Sequence, residues 1–292
     1  MPELNENSRF VCKFLDDESF SIAHRKFLEA FSDYIISFQL SEQQFHNHMV
    51  LNAVDLNRSV GCFDGRELVG LSLNGFGRWN GVRTVYDAGT GVIPTHRKRG
   101  VSELMFGMML PLFRDEGYGQ CLLEVISSNE PAVRLYEKLD FEKTRSLYLM
   151  QAQELNEHPN IPDGIEFREI EDPDMTFLAG FGDGEPSWQN STEAIERSLI
   201  MKRVIGAFSG DDCVGYVAFS AGVGRVAQIA VRPEFRRRGI GGRLLAELKA
   251  DARPGYNLQV INIDGNLTES VEFFRNRGFE VILEQFEMRK EL

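Results

Sequence analysis

The sequence predicts an α/β protein that contains two copies of one domain. At 292 residues the chain is long for one domain and comfortable for two of ordinary size. A motif in residues 90–106, TGVIPTHRKRGVSELMF, returns in residues 230–245 as AVRPEFRRRGIGGRLL. Its valine, proline, arginines and glycine recur at one constant offset, which aligns Gly100 with Gly239. Strand and helix signals recur in the same order around both motifs. So long a period indicates a duplicated domain and not a solenoid.

The basic residues are clustered within an acidic chain. The net charge is −12, and Lys and Arg residues gather at positions 97–99 and 236–238. A nucleic-acid-binding protein needs a broad basic surface, so we expect no nucleic-acid partner. No apolar run approaches the roughly 18 residues that span a bilayer, so we expect no membrane partner. The four cysteines are scattered without metal-ligand spacing, which favours free thiols in a reducing cytoplasm and no metal site.

Periodicity, caps and turns predict the elements that precede the first motif. Alternation in residues 9–15 predicts a strand, and apolar residues at helical spacing predict a helix over residues 21–38. Ser41, followed by Gln44, fits a capping box for a second helix. The dipeptides Asp64-Gly65 and Asn80-Gly81 predict hairpin turns. The strands that flank these turns are predicted at residues 60–63, 67–74 and 82–93.

The first motif enters a helix that we expect to reach Gly117, with Pro111 kinking it or freeing one of its carbonyl groups. A short apolar run at residues 121–126 predicts a buried strand. Asn129 then fits the N-cap of a helix that has Pro131 in its first turn. A strand at residues 141–150 closes this half.

The same order follows a Pro- and Gly-containing polar stretch. We predict a domain over residues 1–152, a linker over 153–163 and a second domain over 164–292. In the second domain, helical material is expected before residue 201, and the second motif opens a helix that reaches about residue 253. The predicted strands are residues 165–170, 203–208, 213–221, 225–231, 257–263 and 279–288, with a last helix at 268–276.

Each motif has the chemistry of an anion site. A strand that turns tightly into a helix directs unpaired backbone N–H groups and a positive dipole at one point. A glycine there lets the backbone approach a ligand closely, and neighbouring Arg and Lys side chains add charge and hydrogen-bond donors. The sequence therefore predicts two phosphate-binding loops, one around Gly100 and one around Gly239.

A second motif follows the first loop and makes the chain resemble a known family. Residues 122–141 read LLEVISSNEPAVRLYEKLDF. With the RKRGVS loop, this stretch resembles the GNAT superfamily of acyl-CoA-dependent N-acetyltransferases, whose loop is [R/Q]-x-x-G-x-[G/A] and whose next motif contains Asn, Ala and Leu-Tyr. Ser102 replaces the usual small residue in the first loop. The second loop fits fully, but Ser270 and Phe273-Phe274 stand where Ala and Leu-Tyr are usual.

The resemblance covers nearly the whole chain and implies two tandem GNAT-like domains. Each would be a mostly antiparallel, twisted mixed sheet flanked by helices, with acetyl-CoA or CoA bound at the loops. In the first domain the resemblance places cofactor contacts at Val92, Ile93, Arg97, Lys98, Arg99, Gly100, Val101, Ser102 and Asn129. In the second it places them at Ile229, Val231, Arg236, Arg237, Arg238, Gly239, Ile240, Gly241 and Gly242.

The same resemblance suggests catalytic groups. Tyr136 lies where the family has a general acid that protonates the leaving thiolate; the alternative for Tyr136 is core packing. Glu124 and Asp87 are candidates for deprotonating or binding the amine, or are ordinary ion-paired acids. Trp188 either lines an acceptor pocket or packs in the core. Phe274 has no proton to donate, so the second domain uses another donor or binds CoA without turnover.

The predicted function is acetyl transfer from acetyl-CoA to a primary amine by direct attack. A CoA-binding regulatory or interaction protein without turnover is the alternative. The acceptor is a small molecule or a peptide amine, and neither its identity nor the oligomeric state follows from the sequence. The Tyr136 motif favours chemistry in the first domain, whereas the glycine-richer loop favours cofactor binding in the second.

Overall fold

The computed structural model describes residues 9–34, 39–156 and 163–292, and these fall into two compact units. The first unit takes the described residues up to Val125, together with Asn129–Thr144 and Glu287–Leu292. The second takes Ile126–Ser128 and the described part of Arg145–Phe286. Residues 35–38 of the predicted first helix and residues 157–162 of the predicted linker lie outside the described residues.

The first unit is a mixed sheet with helices on both faces. Its sheet order is β1-β2-β3-β4-β5, and the last strand of the chain, β12 (Glu280–Glu291), lies next to β5 from Glu287 onward. Neighbouring strands from β1 to β4 are antiparallel, and β4 and β5 are parallel. The elements are β1 Phe10–Phe14, α1 Phe20–Ala30, α2 Glu42–Leu51, β2 Val60–Asp64, β3 Glu67–Trp79, β4 Val82–Val92, α3 Val101–Asp115, β5 Gln120–Ile126 and α4 Glu130–Lys138.

The local signals of the first half are confirmed. Ser41 closes the predicted capping box of α2, and Asn80-Gly81 has positive φ at both positions, as the tight turn of the β3–β4 hairpin requires. The helix predicted to start near residue 21 ends earlier than expected, at Ala30. The side chain of Arg97 donates to the carbonyl oxygen of Ala30 at 2.9 Å and so satisfies one of the acceptors at the end of α1. Helix α3 continues through Pro111.

The second unit repeats this architecture. Its sheet order is β12-β6-β11-β10-β9-β8-β7, with β12 belonging to this unit up to Phe286. Strands β10 and β11 are parallel, and the pairs β6–β11, β9–β10, β8–β9 and β7–β8 are antiparallel. One apolar cluster lies between the sheet and α7, and a second lies under α5 and α6. The elements are β6 Glu142–Ala152, β7 Ile165–Glu169, α5 Met175–Ala179, α6 Thr192–Arg197, β8 Lys202–Ser209, β9 Asp212–Ser220, β10 Arg225–Val231, α7 Ile240–Asp251, β11 Leu258–Asp264, α8 Thr268–Arg275 and β12 Glu280–Glu291.

In each unit the parallel strands pair over a short length only. Strand β4 pairs with β5 through Thr84–Asp87, and β10 pairs with β11 at Arg225 and Val226. One extra residue then interrupts the pairing with the antiparallel neighbour on the other side: Ala88 in β4, which faces β3, and Ala227 in β10, which faces β9. The offset between Ala88 and Ala227 equals the offset between the two loops. Beyond this bulge, the edge of β4 that faces β5, and the edge of β10 that faces β11, have no strand partner within the described residues. Each unit therefore presents a free strand edge that leads into its loop.

The close backbone approach under the first sheet gives a test of the fold. A Cβ atom at Gly75 would overlap the carbonyl oxygen of Asn52, which belongs to the backbone and cannot rotate away. We expect Gly75→Ala to destabilise the first unit by about 3 kcal/mol through overpacking. Gly107→Ala is the matched control, because a Cβ in α3 meets open space at that position. That substitution should stabilise the helix by up to about 1 kcal/mol.

Urea unfolding in a Trp188→Phe background measures both changes. Only two tryptophans are present, so Trp79 then reports on the first unit alone. Equal unfolding midpoints for the two glycine variants would show that the backbone contact between β3 and residue 52 is absent.

Candidate active site

The two loops have the same backbone conformation. Gly100 has φ 78° and Gly239 has φ 85°, and in each loop the residue two positions earlier is also left-handed, with φ 59° at Lys98 and 62° at Arg237. Each loop follows a single helical turn that opens with a proline. Alternating left-handed residues direct successive amide groups into one concavity, which suits an anion.

The helices that follow the loops begin without side-chain caps. Gly100 is the N-cap of α3 and Gly239 the N-cap of α7, and neither has a side chain to accept from the first turn. The carbonyl oxygens of these glycines accept from Leu104 and Arg243, so the amides in between lie before the regular helical ladder. The predicted contact residues of both loops lie at these helix N-termini, where the helix dipole favours negative charge.

The first arginine of each loop is bound within the protein. The Nε of Arg97 donates to the carbonyl oxygen of Val92 at 3.1 Å, and its terminal nitrogens bind the carboxylate of Asp33 at 2.6 and 2.7 Å. This hydrogen-bonded ion pair raises the pKa of Arg97 and lowers that of Asp33. Arg97 therefore holds its loop in place, and Lys98 and Arg99 are the other cationic residues of that loop.

Arg236 repeats the arrangement in the second unit. Its Nε donates to the carbonyl oxygen of Val231 at 2.9 Å, and its terminal nitrogens bind the carbonyl oxygen of Phe181 and the carboxylate of Asp183. The third arginine, Arg238, donates to the carbonyl oxygen of Glu234. The sequence did not indicate Asp33 or Asp183, because the repeat offset does not relate them.

The structure brings two predicted residues of the first unit together. The hydroxyl of Tyr136 donates to the carboxylate of Asp87 at 3.4 Å, which is long for an O–H···O bond. Thr90 Oγ1 and the amide of Gly89 also donate to that carboxylate, at 2.9 and 3.0 Å. Burial raises the pKa of Asp87 to about 6 against these three donors. Burial, and then the charge of Asp87, raise the pKa of Tyr136 well above 10.

Glu124 lies apart from this pair. It accepts from the hydroxyl of Tyr86 at 3.0 Å, and Tyr86 precedes Asp87 on β4. Adjacent residues of a strand point to opposite faces, so Glu124 and the Asp87–Tyr136 pair lie on opposite faces of the sheet. Asn129 caps α4, and its side chain is also hydrogen-bonded to Tyr34, a neighbour of Tyr136 that the sequence did not indicate.

A histidine of α2, His48, supports the bulge in β4. The ring of His48 contacts the carbonyl oxygen of Ala88 through Nε2 at 2.8 Å and the side-chain nitrogen of Asn52 through Nδ1 at 3.2 Å. Since Nδ1 accepts from the amide, Nε2 carries the proton and donates to the bulge. Burial lowers the pKa of His48, which keeps the ring neutral.

The second unit lacks the polar pair. Phe274 is buried where the alignment places Tyr136, and Val226 precedes the bulge of β10 as Asp87 precedes that of β4. Trp188 is 2% exposed. Nearby, Asn190 donates to the carbonyl oxygen of Ile261 and accepts from Gln228 through its own carbonyl, both at 2.7 Å. The loop conformation is thus duplicated, whereas the titratable groups are not.

Metal sites and membrane spans are both missing from the described residues. Among residues 9–34, 39–156 and 163–292, no group of three or more His, Cys, Asp or Glu side chains could hold a metal ion. Within the same part of the chain, no helix combines the length and apolarity needed to cross a bilayer.

Both halves of the chain are similar to known proteins. Residues 15–141 match the model of the acetyltransferase (GNAT) family, and residues 201–281 match that of the acetyltransferase (GNAT) domain. A mycothiol acetyltransferase of Rhodococcus erythropolis is 35% identical over 86 residues. That match covers 28% of this chain and 28% of the relative.

Solved structures share the fold at low sequence identity. A GCN5-related N-acetyltransferase from Sphaerobacter thermophilus has a TM-score of 0.71 and 17% identity, and the match covers 97% of this chain and 96% of that one. A tandem GNAT protein from the clavulanic acid biosynthesis pathway has a TM-score of 0.72 and 16% identity, covering 97% of this chain and 98% of that one. The predicted fold class is confirmed. Since GNAT models match each half and together well over half of its length, the chain belongs to the GNAT acetyltransferase family and contains two of its domains in tandem.

Proposed function

We propose that the chain is an acyl-CoA-dependent N-acyltransferase that moves an acetyl group from acetyl-CoA to a primary amine by direct attack. The observation that supports this most is the pair of uncapped helix N-termini at Gly100 and Gly239, each preceded by a left-handed residue and a free strand edge. The GNAT family uses acetyl-CoA or another acyl-CoA, and the loops have the donors that a diphosphate needs.

The residues present fit the cofactor. In the first unit, the amides from Lys98 to Ser102 would bind the diphosphate, and the free edge of β4 at Val92 would pair with the amides of the pantetheine arm as an added strand does. The N–H of Ile93, which the resemblance also placed at the cofactor, donates instead to the carbonyl oxygen of Val69 on β3. In the second unit, residues 237–242 and the edge of β10 at Ile229 and Val231 would do the same. Bound acetyl-CoA supplies an activated thioester. The side chains of Arg97 and Arg236 would contribute by fixing the loops.

In the first unit we propose that Tyr136 donates the proton that the leaving thiolate needs. Its raised pKa keeps the hydroxyl protonated at neutral pH. The long hydrogen bond to Asp87 holds the hydroxyl only weakly, so it can turn toward another acceptor. Asp87, with its pKa of about 6, can return a proton to Tyr136 below that pH.

Glu124 is the proposed base for the incoming ammonium, directly or through water. It lies on the face of the sheet away from Tyr136, so the two proton transfers are separated in space. This arrangement lets the Glu124 carboxylate act as a base and the Tyr136 phenol act as an acid at the same pH. Asp87, the other carboxylate that the sequence suggested for contacting the amine, is instead bound to Tyr136, Thr90 and Gly89.

In the second unit we propose cofactor binding without a tyrosine-dependent step. Phe274 cannot donate a proton, and Val226 cannot accept one. The burial of Trp188 favours its packing role over contact with an acceptor. The absence of titratable groups at these two positions also supports the alternative function, a CoA-binding regulatory module. The acceptor remains a small-molecule or peptide amine, and four cysteines without disulfides suit a reducing cytoplasm.

Calorimetric titration with CoA tests the two loops. The wild type should bind two CoA molecules per chain, and Gly100→Glu and Gly239→Glu should each remove one, because a carboxylate at the helix N-terminus repels the diphosphate. Gly100→Ala and Gly239→Ala are matched controls for backbone strain, costing about 1–2 kcal/mol in the left-handed region without adding charge. A wild type with one site, lost only in Gly239→Glu, would exclude the first loop.

Substitution of tyrosines tests the assignment of the chemistry. We expect Tyr136→Phe to lower kcat by about a hundredfold, as loss of a general acid does, with unchanged affinity for CoA. Thiol release from acetyl-CoA with a panel of amines measures it. The control is Tyr216→Phe, which removes a buried hydroxyl of the second unit that donates to Gln228. The reverse pattern would place turnover in the second unit, and CoA binding without any acetylated amine would favour the regulatory module.

The buried carboxyl group gives a pH-dependent prediction. Because the folded pKa of Asp87 is raised from 3.8 to about 6, the native state binds more protons than the unfolded state between these values, and stability falls as pH rises through them. Relative to Asp87→Asn, the wild-type first unit should lose about 2 kcal/mol between pH 4 and pH 7. Urea unfolding followed by Trp79 measures the difference.

An exposed carboxylate of the same unit provides the control of opposite sign. The pKa of Asp33 is lowered by Arg97, so its stabilisation is present above the unfolded pKa and is lost as the pH falls. If the two substitutions, Asp87→Asn and Asp33→Asn, changed the pH dependence of the free energy of unfolding in the same direction, the buried state of Asp87 would be contradicted.

A further inference from the structure

A row of polar residues crosses the second sheet, and three of them lie on β8, β9 and β10. Lys202 on β8 pairs with Ser220 on β9, and Ser220 pairs with Arg225 on β10. Residues directly opposite each other on neighbouring strands lie on the same face. The Nζ of Lys202 donates to the Oγ of Ser220 at 3.1 Å. The hydroxyl hydrogen of Ser220 is therefore available to another acceptor, between two cationic side chains.

No carboxylate compensates these two charges among the described residues. Neither Lys202 nor Arg225 forms an ion pair there, although the chain has a net charge of −12. The residue next to Lys202 differs in this respect, because Arg203 binds the carboxylates of Glu169 and Asp251. Burial, and then the charge of Arg225, lower the pKa of Lys202 to about 8. Two like charges side by side destabilise each other unless an anion joins them.

The row is separate from the cofactor loop. Arg225 begins β10 and Val231 ends it, so about 20 Å of strand lies between the row and the start of the second loop. The face also differs. Val204, Tyr216 and Ala218 extend the face of the row into the apolar cluster under α5 and α6, whereas α7 packs on the opposite face. A diphosphate bound at Gly239 would therefore not reach these cations.

We propose that Lys202, Ser220 and Arg225 form an anion site that binds a carboxylate or phosphate group of a small molecule. An ammonium, a hydroxyl and a guanidinium at one register offer an oxyanion three kinds of donor, two of them charged. Lys202 is half-buried, and Arg225 has an exposed part although burial lowers its pKa as well, so both cations are partly shielded and the site is reachable from solution. This site goes beyond the proposed acetyl transfer and does not depend on it.

Site-specific labelling of Lys202 tests the proposal. The protein is pulsed at pH 8 with 1-fluoro-2,4-dinitrobenzene, a neutral amine reagent, and the labelled peptides are measured by mass spectrometry. Millimolar inorganic phosphate or acetate, compared with chloride at equal ionic strength, should slow the labelling of Lys202 about fivefold, because a bound anion raises the pKa of the ammonium by about one unit and so lowers the reactive neutral fraction at pH 8. Protection by acetate as well as phosphate indicates a carboxylate ligand, and protection by phosphate alone indicates a phosphate.

Two variants and a control decide the result. Arg225→Gln should abolish the protection, and Arg225→Lys should keep part of it. Arg25→Gln removes an exposed arginine from α1 in the first unit and should leave the protection unchanged. The proposal is overturned if neither anion protects Lys202 in the wild type, or if Arg225→Gln is protected as well as the wild type. Since the readout is one lysine, anions at the cofactor loops do not affect it.

Discussion

The constraint on which the rest of the structure depends is the separation of two parallel strands in each unit. A β-strand pairs its N–H and C=O groups with neighbours on both sides unless a bulge or a change of direction ends the pairing. Here β4 leaves β5 after Asp87, β10 leaves β11 after Val226, and an alanine bulge follows at once in both strands. The free edges then run directly into the loops. A ligand that pairs with such an edge and ends in a diphosphate would satisfy both features together.

The loops keep this geometry because, in each one, an arginine side chain is hydrogen-bonded to backbone carbonyl oxygens outside the loop. Arg97 and Arg236 reach back to the last carbonyl of their strands and across to the end of a preceding helical segment. A lysine could not make these contacts, because it lacks the planar fork of donors. In each basic loop, different residues therefore provide the conformation and the charge. The first arginine fixes the backbone, and the basic residues after it supply positive potential.

The sequence predicts well whatever depends on neighbouring residues. The Asn80-Gly81 turn, the Ser41 cap and the Asn129 cap need only local backbone geometry, and all three are present. The predicted end of α1 was wrong: the helix ends at Ala30, and the carbonyl oxygen there accepts from Arg97, far along the chain. The partners of Asp87, the contact of His48 with the bulge, and the Lys202 row depend on tertiary contacts or on strand register. No local pattern contains that information.

The two units have diverged in their side chains more than in their backbones. Both keep the bulge, the left-handed residues and the uncapped helix, which depend on main-chain pairing and on glycine, so most side-chain substitutions nearby leave them unchanged. The proton chemistry that we propose for Asp87 and Tyr136 depends on side chains, so a single substitution at either position removes it. The second unit has Val226 and Phe274 at these positions. Binding of a coenzyme can therefore persist in a unit after such chemistry is gone. The anion site that we propose at Lys202, Ser220 and Arg225 lies in that unit, so the second domain would have a recognition surface of its own, separate from the proton donor that we propose in the first.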